Sequence, residues 1–306
     1  MSELKITFLG TGSARPTPQR SVACVALSLG GEAVLFDCGE GAQLQATRAG
    51  FKPSRLHAVC ITHFHGDHIN GLPGFIGTMG LNGHRDRVAL VSPRGLRRYL
   101  QVLRELSILH PAFPLDLHDA AQDVPFATDD WRIESFPLDH RLPCHGYLFR
   151  EKDLPGRFDL EHAIALGIPR GPLFGKLQRG ESVRLDDGRT ISPEQVLGLP
   201  RRGRSVAYVT DTRPCSHLVE AVRGVDVLIH EATYTHEFAD LANERGHSTA
   251  VQAAEVARDA GVGRLILTHV STRYVRARPL LREAQAVFPN TVVARDLDVF
   301  DVPVHD

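Results

Sequence analysis

The run His63-Phe64-His65-Gly66-Asp67-His68 packs three imidazoles and a carboxylate into six residues. Donors of this kind suit zinc, which takes nitrogen, oxygen and sulfur ligands with no geometric bias of its own. In an extended loop, residues two apart point the same way, so His63 and His65 can reach one ion. Asp67 and His68 follow and can turn towards a second. Six residues do not hold enough ligands for two ions, so more must come from elsewhere. His140 in Pro-Leu-Asp-His, Asp211 in Tyr-Val-Thr-Asp-Thr and His269 in Ile-Leu-Thr-His each stand at or just past an apolar strand pattern. Singly, each reads as a cap or a satisfied polar residue. As a set beside the histidine run they read as ligands of a two-metal hydrolytic centre. Manganese and iron accept the same donors.

Such ligands must be carried by strand ends that converge. Residues 4–9 alternate as a strand, 22–29 and 33–36 form a hairpin around Gly30-Gly31, and 58–62 is a buried strand that runs straight into the histidines. Helices are expected at 41–49, 70–82, 93–109 (opened by Pro93) and 249–260. Further strands are expected at 88–91, 131–136, 146–149, 205–209, 225–229 and 265–267. Meander followed by β-α alternation indicates layered sheets with outer helices, an α/β fold. Residues 151–204 differ: Pro155-Gly156, the Gly167–Pro172 stretch and Pro200-Arg-Arg-Gly-Arg interrupt any period, so this segment reads as a flexible inserted arm in a single 306-residue domain.

Composition narrows the classes. A charged fraction of 23% beside 42% hydrophobic residues excludes a disordered chain. A net charge of -1 excludes a globally basic nucleic-acid binder, so any RNA-binding surface must be local. The five cysteines are odd in number and form no C-x-x-C pair, which argues against a disulfide framework or a thiolate finger. The N-terminal residues lack a signal-peptide pattern and no apolar run is long enough for a membrane span. A cytoplasmic location without membrane attachment is the expectation.

The sequence resembles the metallo-β-lactamase superfamily and, within it, the ribonuclease Z family. The resemblance rests on Phe36-Asp37-Cys38-Gly39-Glu40-Gly41, the histidine run, His140, Asp211 and His269. It rests more specifically on His230-Glu231-Ala232-Thr233, Gly246-His247-Ser248-Thr249 and the stretch Gly167 to Leu177. The resemblance implies a four-layer αββα sandwich and an endonuclease that removes the 3′ trailer from precursor transfer RNA, leaving a 3′-hydroxyl and a 5′-phosphate. It implies two zinc ions per subunit, one on His63, His65 and His140 and the other on Asp67, His68 and His269. Asp211 would bridge them and Asp37 would orient a ligand. Asp67 is then the candidate base, and His247, held by Glu231, the candidate acid or phosphate stabiliser. His247 also reads as the cap of the helix entered at Ser248-Thr249.

In the resemblance, the arm is the site that grips the transfer RNA, with Arg170, Lys176 and Arg179 as its cations, and the working form is a homodimer. Residues 164–180 hold those cations and no acidic residue, although a solvated loop would look the same. One departure stands out. The family's P-x-K-x-R-N loop reads Pro16-Thr-Pro-Gln-Arg20-Ser21 here, which alters how precursors already encoding CCA would be treated. Two competing classes remain: a small-molecule hydrolase of the same fold (phosphodiesterase, sulfatase or thioesterase) and a non-catalytic RNA-binding scaffold. The complete ligand set speaks against the scaffold, and a remote cationic arm against the small substrate.

Overall fold

The computed structural model describes residues 2–305. Its strands are β1 (Leu4–Gly10), β2 (Cys24–Leu29), β3 (Glu32–Phe36), β4 (Leu56–Cys60), β5 (Val88–Ser92), β6 (Leu115–Asp119), β7 (Phe126–Ala127), β8 (Trp131–Leu138), β9 (Cys144–Glu151), β10 (Val183–Arg184), β11 (Thr190–Ile191), β12 (Ser205–Val209), β13 (Val227–Glu231), β14 (Arg264–Thr268), β15 (Thr291–Val293) and β16 (Val299–Val302). Its helices are α1 (Ala42–Arg48), α2 (Gly66–Ile69), α3 (Leu72–Leu81), α4 (Leu96–Glu105), α5 (Leu160–Ala165), α6 (Pro172–Gln178), α7 (Leu218–Ala221), α8 (Ala239–Arg245), α9 (Ala250–Asp259) and α10 (Arg278–Val287). None is long and apolar enough to cross a membrane.

The chain divides into two compact units, residues 1–150 with 205–303 and residues 151–204 with 304–306. The larger unit holds two seven-stranded sheets, in the orders β16-β1-β2-β3-β4-β5-β6 and β15-β14-β13-β12-β9-β8-β7. Strands β3 to β6 run parallel, as do β12 to β15, so each run delivers several strand ends to one side. One core lies between the sheets, where Phe36 stacks on Tyr147 and Tyr208 at centroid distances of 6.2 and 5.4 Å. Two outer cores cover the other faces, one under α1, α3 and α4 and one under α7, α9 and α10. Helix, sheet, sheet and helix therefore form four layers, the arrangement the resemblance implies, and the sheets with outer helices expected from the alternating patterns are both present.

The helix ends move for local reasons. The helix expected over 93–109 begins only at Leu96, because Gly95 takes a φ of 132° that lies outside the helical range, and it stops before Ser107, whose φ is 59°. The one expected over 70–82 is α3, Leu72–Leu81, and a separate short turn that the pattern did not show, α2, precedes it at Gly66–Ile69. Gly71 separates them, and a Cβ there would lie 2.0 Å from the Gly39 carbonyl oxygen, so only glycine allows this approach. The break lets α2 carry Asp67 and His68 as a short independent turn. Strand β6, strands β15 and β16 and helix α10 lie outside the segments expected from the pattern.

The smaller unit has a core of its own, in which Ala163, Ile168, Leu177, Val183, Leu185, Ile191 and Val196 are buried. It contains α5, α6 and the β10–β11 hairpin. Its elements are too short for periodicity to show, which is why the sequence reads as irregular there. At its base, Glu151 and Arg204 form a buried two-pronged pair, Nε to Oε2 at 2.7 Å and Nη2 to Oε1 at 2.8 Å. Burial alone would raise the Glu151 carboxyl, but the Arg204 hydrogen bonds hold it below its ordinary value. A carboxylate depressed in the folded state stabilises above its unfolded pKa of about 4.3 and loses that stabilisation as pH falls through the folded one. Arg204→Met is expected to cost about 3–5 kcal/mol by leaving Glu151 buried without its charge partner. Amide exchange across residues 154–201 should accelerate accordingly, and should do so in the unchanged protein only below about pH 4. Unaltered exchange in the variant would show the pair to be dispensable.

Candidate metal centre

Six strand ends of the larger unit supply the site. Asp37 follows β3, His63 follows β4, His140 follows β8, Asp211 follows β12, Glu231 closes β13 and His269 follows β14. Side chains at carboxyl ends of neighbouring strands converge in such sheets. Asp37 and His269 both adopt a φ of 55°, the sparsely populated left-handed region, where the surrounding structure must hold a non-glycine residue in place.

Two groups of donor atoms result. In the first, His65 Nδ1 lies 2.9 Å from His63 Nε2 and 3.2 Å from His140 Nε2, and Asp211 Oδ2 lies 3.6 and 3.8 Å from the latter two. In the second, Asp67 Oδ2 and His68 Nε2 are 3.5 Å apart, and His269 Nε2 is 3.5 Å from Asp67 Oδ2. Asp211 Oδ1 faces both imidazoles of that group at 3.5 and 3.1 Å. The two oxygens of Asp211 thus divide between the groups. Ligands about 2.0–2.1 Å from a tetrahedral zinc stand about 3.3 Å from one another, so both sets have the spacing a metal ion imposes. The Nε2 atoms of His68 and His269 are buried with no hydrogen-bond partner, a costly state unless a cation accepts their lone pairs. The His/Asp cluster is able to bind metal.

Electrostatics agree with that fit. Burial lowers His63, His65 and His140, favouring the neutral imidazole a metal requires. Burial would lower His68 too, but Asp211, Asp37 and Asp67 around it raise it to about 10. Burial would raise Asp67 and Asp211, yet the facing imidazoles hold both below the carboxylate range. Three carboxylates, Asp37, Asp67 and Asp211, face this one imidazole, a concentration of acidic groups that a bound cation would offset.

Partners behind the ligands fix their orientation. Asp37 Oδ2 accepts from His68 Nδ1 at 2.7 Å and from the Tyr208 hydroxyl at 3.0 Å, and Asp37 Oδ1 accepts from the Thr62 amide and hydroxyl. His140 Nδ1 faces the Gly246 carbonyl at 2.8 Å, and His269 Nδ1 faces the Thr233 hydroxyl at 3.1 Å. The Ala14 amide donates to Asp67 Oδ2 at 2.7 Å. Asp37→Ala is expected to weaken metal binding about 10- to 100-fold, the usual effect of losing a ligand's orienting partner. A chelator titration followed by metal analysis reads this directly, and unchanged affinity would remove the orienting role.

His247 lies beside the cluster, its Nδ1 3.0 Å from Glu231 Oε1 and 4.0 Å from Asp211 Oδ2. Burial would lower it, but the Glu231 carboxylate raises it to about 9. It is not the helix cap. Helix α9 is capped by Thr249, which accepts from the Gln252 amide while the Gln252 side chain accepts from the Thr249 amide. With Nδ1 committed to Glu231, Nε2 is left for the cleft. Glu231 accepts in addition from the Thr212 and Thr233 amides and the Thr233 hydroxyl, which fixes it.

Some participants left no readable mark in the sequence. Tyr208 sits in an apolar strand and reads as core. The Ala14 amide acts through a φ of 63° that its residue type does not announce. Arg141 and Arg245, which line the cleft, read as ordinary surface charge. Conversely, Arg20 of the Pro16–Ser21 loop points inward: its Nη1 donates to the Thr11 hydroxyl at 2.6 Å and to the Ala294 carbonyl at 2.7 Å. Arg170, Lys176 and Arg179 belong to the smaller unit, exposed around α6, and Arg179 pairs with Glu181.

Among family models, that of the anti-Pycsar protein Apyc1 matches residues 4–127 and that of the beta-lactamase superfamily domain matches residues 178–270. The chain is 46% identical to ribonuclease Z of Acaryochloris marina, with 98% of each chain covered. It is 45% identical to ribonuclease Z of Methanothermobacter thermautotrophicus, over 99% of this chain and 98% of the relative. The crystal structure of human tRNase Z, short form, superposes with a TM-score of 0.72 at 27% identity, covering 98% of this chain and 99% of that one.

Proposed function

This chain belongs to the ribonuclease Z family, and from that we propose that it is a metal-dependent endoribonuclease that removes the 3′ trailer from precursor transfer RNA. The observation that carries the chemistry is the division of Asp211 between two ligand groups. We assign His63, His65 and His140 to one zinc ion and Asp67, His68 and His269 to the other, with Asp211 common to both. Ions bound there supply a nucleophile at neutral pH and neutralise charge on the phosphodiester.

The chain's own residues do the rest. Asp67, ionised and aligned by the Ala14 amide, accepts the hydrogen bond of the attacking water and so orients it, or takes its proton, as the new phosphorus–oxygen bond forms. Products with a 3′-hydroxyl on the transfer RNA and a 5′-phosphate on the trailer require the P–O3′ bond to break. The O3′ atom therefore leaves and takes a proton from His247 Nε2. Glu231 keeps the other ring nitrogen protonated, so the imidazole is oriented and charged when needed.

Arg170, Lys176 and Arg179 serve as the RNA grip in this reading, since exposed cations on a glycine- and proline-rich segment suit phosphate contacts. The test exploits the closeness of the segment's ends: the Leu154 and Arg201 amides each donate to the other's carbonyl at 2.9 Å, so residues 155–200 can be replaced by a two-residue turn. The zinc-loaded full chain should cleave precursor transfer RNA at the trailer junction. The shortened chain should lose that cleavage while still hydrolysing bis(p-nitrophenyl) phosphate. Equal precursor cleavage by both would remove the grip, and hydrolysis of the small diester alone by the full chain would overturn the substrate. The proposed working form is a homodimer in the cytoplasm, a compartment that suits the free cysteines. Sedimentation should give twice the 33.6 kDa chain mass.

A further inference from the structure

The cleft over the His/Asp cluster, about 370 Å³ in volume, has two unlike walls. One carries Arg141, Arg245 and His247. The other is the group Ser13, Ala14, Pro16, Glu40 and Asn70, gathered around Asp67 through the Ala14 amide and the approaches of Asn70 to Gly66 and of Gly39 to Asp67, and it holds no cation.

The cationic wall is built as one piece. Helix α8 (Ala239–Arg245) is capped by Gly246, whose φ is 80°, and three carbonyls at this end are met by side chains. Arg213 Nε donates to the Asn243 carbonyl at 2.6 Å, Arg141 Nη2 to the Glu244 carbonyl at 2.8 Å, and His140 Nδ1 meets the Gly246 carbonyl at 2.8 Å. A Cβ on Gly246 would come within 2.7 Å of His140 Nδ1, so glycine is what lets the turn close on that ring. Arg245 and His247, on either side of Gly246, are therefore placed together. Arg213 is neutralised by Asp139 at 3.2 Å, whereas Arg245 makes no ion pair among the described residues and is exposed at the cleft. An unneutralised guanidinium there is an anion site.

The direction of the reaction says which anion. Resting on the function proposed above, the P–O3′ bond breaks and O3′ takes its proton from His247, so the last transfer-RNA nucleotide must stand against His247's wall. We propose that Arg245, supported by Arg141, binds the phosphodiester one nucleotide 5′ of the scissile one. The cleft then reads the strand in one direction, with the transfer-RNA end on the arginine wall and the first trailer nucleotide on the wall of Ser13, Ala14, Pro16 and Asn70.

The experiment uses the zinc-loaded full chain and precursors that carry a single uncharged methylphosphonate, either one linkage 5′ or one linkage 3′ of the cleavage site. Cleavage of the all-phosphate precursor by the unchanged protein is read first, and its absence would overturn the function itself along with this inference. Given that cleavage, the 5′ substitution should lower kcat/KM about tenfold or more, as loss of a charged hydrogen bond does. R245Q should show the same loss on the all-phosphate precursor, with metal content equal to wild type and no further loss from the 5′ substitution. R245K, which keeps the charge, should stay sensitive to it. Full multiplication of the R245Q and 5′ effects would overturn the assignment, as would non-additivity with the 3′ linkage instead.

Discussion

Replacing Asp211 with alanine is expected to abolish precursor cleavage to within the detection limit, a loss of at least about a thousandfold. A single preorganised electrostatic group is worth about 10²–10³ in rate, and Asp211 faces both donor groups, so its loss falls at or beyond the top of that range. The same variant should lose the metal-linked part of its stability. A ligand at a hundred times its Kd stabilises by about 2.7 kcal/mol, which for a chain of this size corresponds to about 4 °C in Tm. A chelator should lower the Tm of the unchanged protein by that amount and leave Asp211→Ala nearly unmoved. Elemental analysis gives the companion readout. A variant that keeps its full complement of metal and shows the same chelator-dependent fall in Tm would show that the aspartate does not bind the ions.

The second large effect concerns His247. His247→Ala should retain metal and lower kcat on precursor transfer RNA by about 10²–10⁴, the range of a lost general acid. KM should change little, because proton donation to O3′ matters only as the bond breaks. The decisive comparison is bis(p-nitrophenyl) phosphate, whose phenolate leaves without a proton. If His247 is the acid, that substrate should hardly notice its removal. An equal loss on both substrates would make His247 a stabiliser of phosphate charge instead. Glu231→Gln should act in the same direction but less strongly, since the amide still accepts a hydrogen bond from Nδ1 but no longer carries the charge that favours the imidazolium.

The His/Asp cluster was legible only as a set: one such residue past an apolar strand pattern reads as a cap, but several of them beside a histidine run point to one converging site. Asp37, His63, His140, Asp211 and His269 all share this signature. Sheets with outer helices were legible because buried parallel strands read as continuous apolar runs, whereas the four-layer order was implied only by the family resemblance. What the sequence hid depends on backbone conformation or tertiary approach. Nothing about Ala14 announces its φ of 63° or the amide it offers to Asp67. The stop of α4 before Ser107 rests on that residue's φ of 59°, and the separation of α2 from α3 at Gly71 on its approach to Gly39, far away in the chain. Nor could the cap question around His247 be resolved by pattern, because both readings place polar residues ahead of α9. The reciprocal bonds between Thr249 and Gln252 decide it.

Arg150, in the last rungs of β9, pairs with Ser205 at the start of β12. Everything between them therefore leaves and rejoins the sheet at a single rung of one antiparallel ladder. To the catalytic scaffold this whole segment is one elaborate hairpin loop. The entropy of closing such a loop rises only with the logarithm of its length, so lengthening, trimming or exchanging it costs the scaffold little. If the segment grips substrate as proposed, catalyst and grip can diverge at separate rates: the site residues stay fixed by six strand ends, while the inserted segment is free to be rewritten for a different ligand.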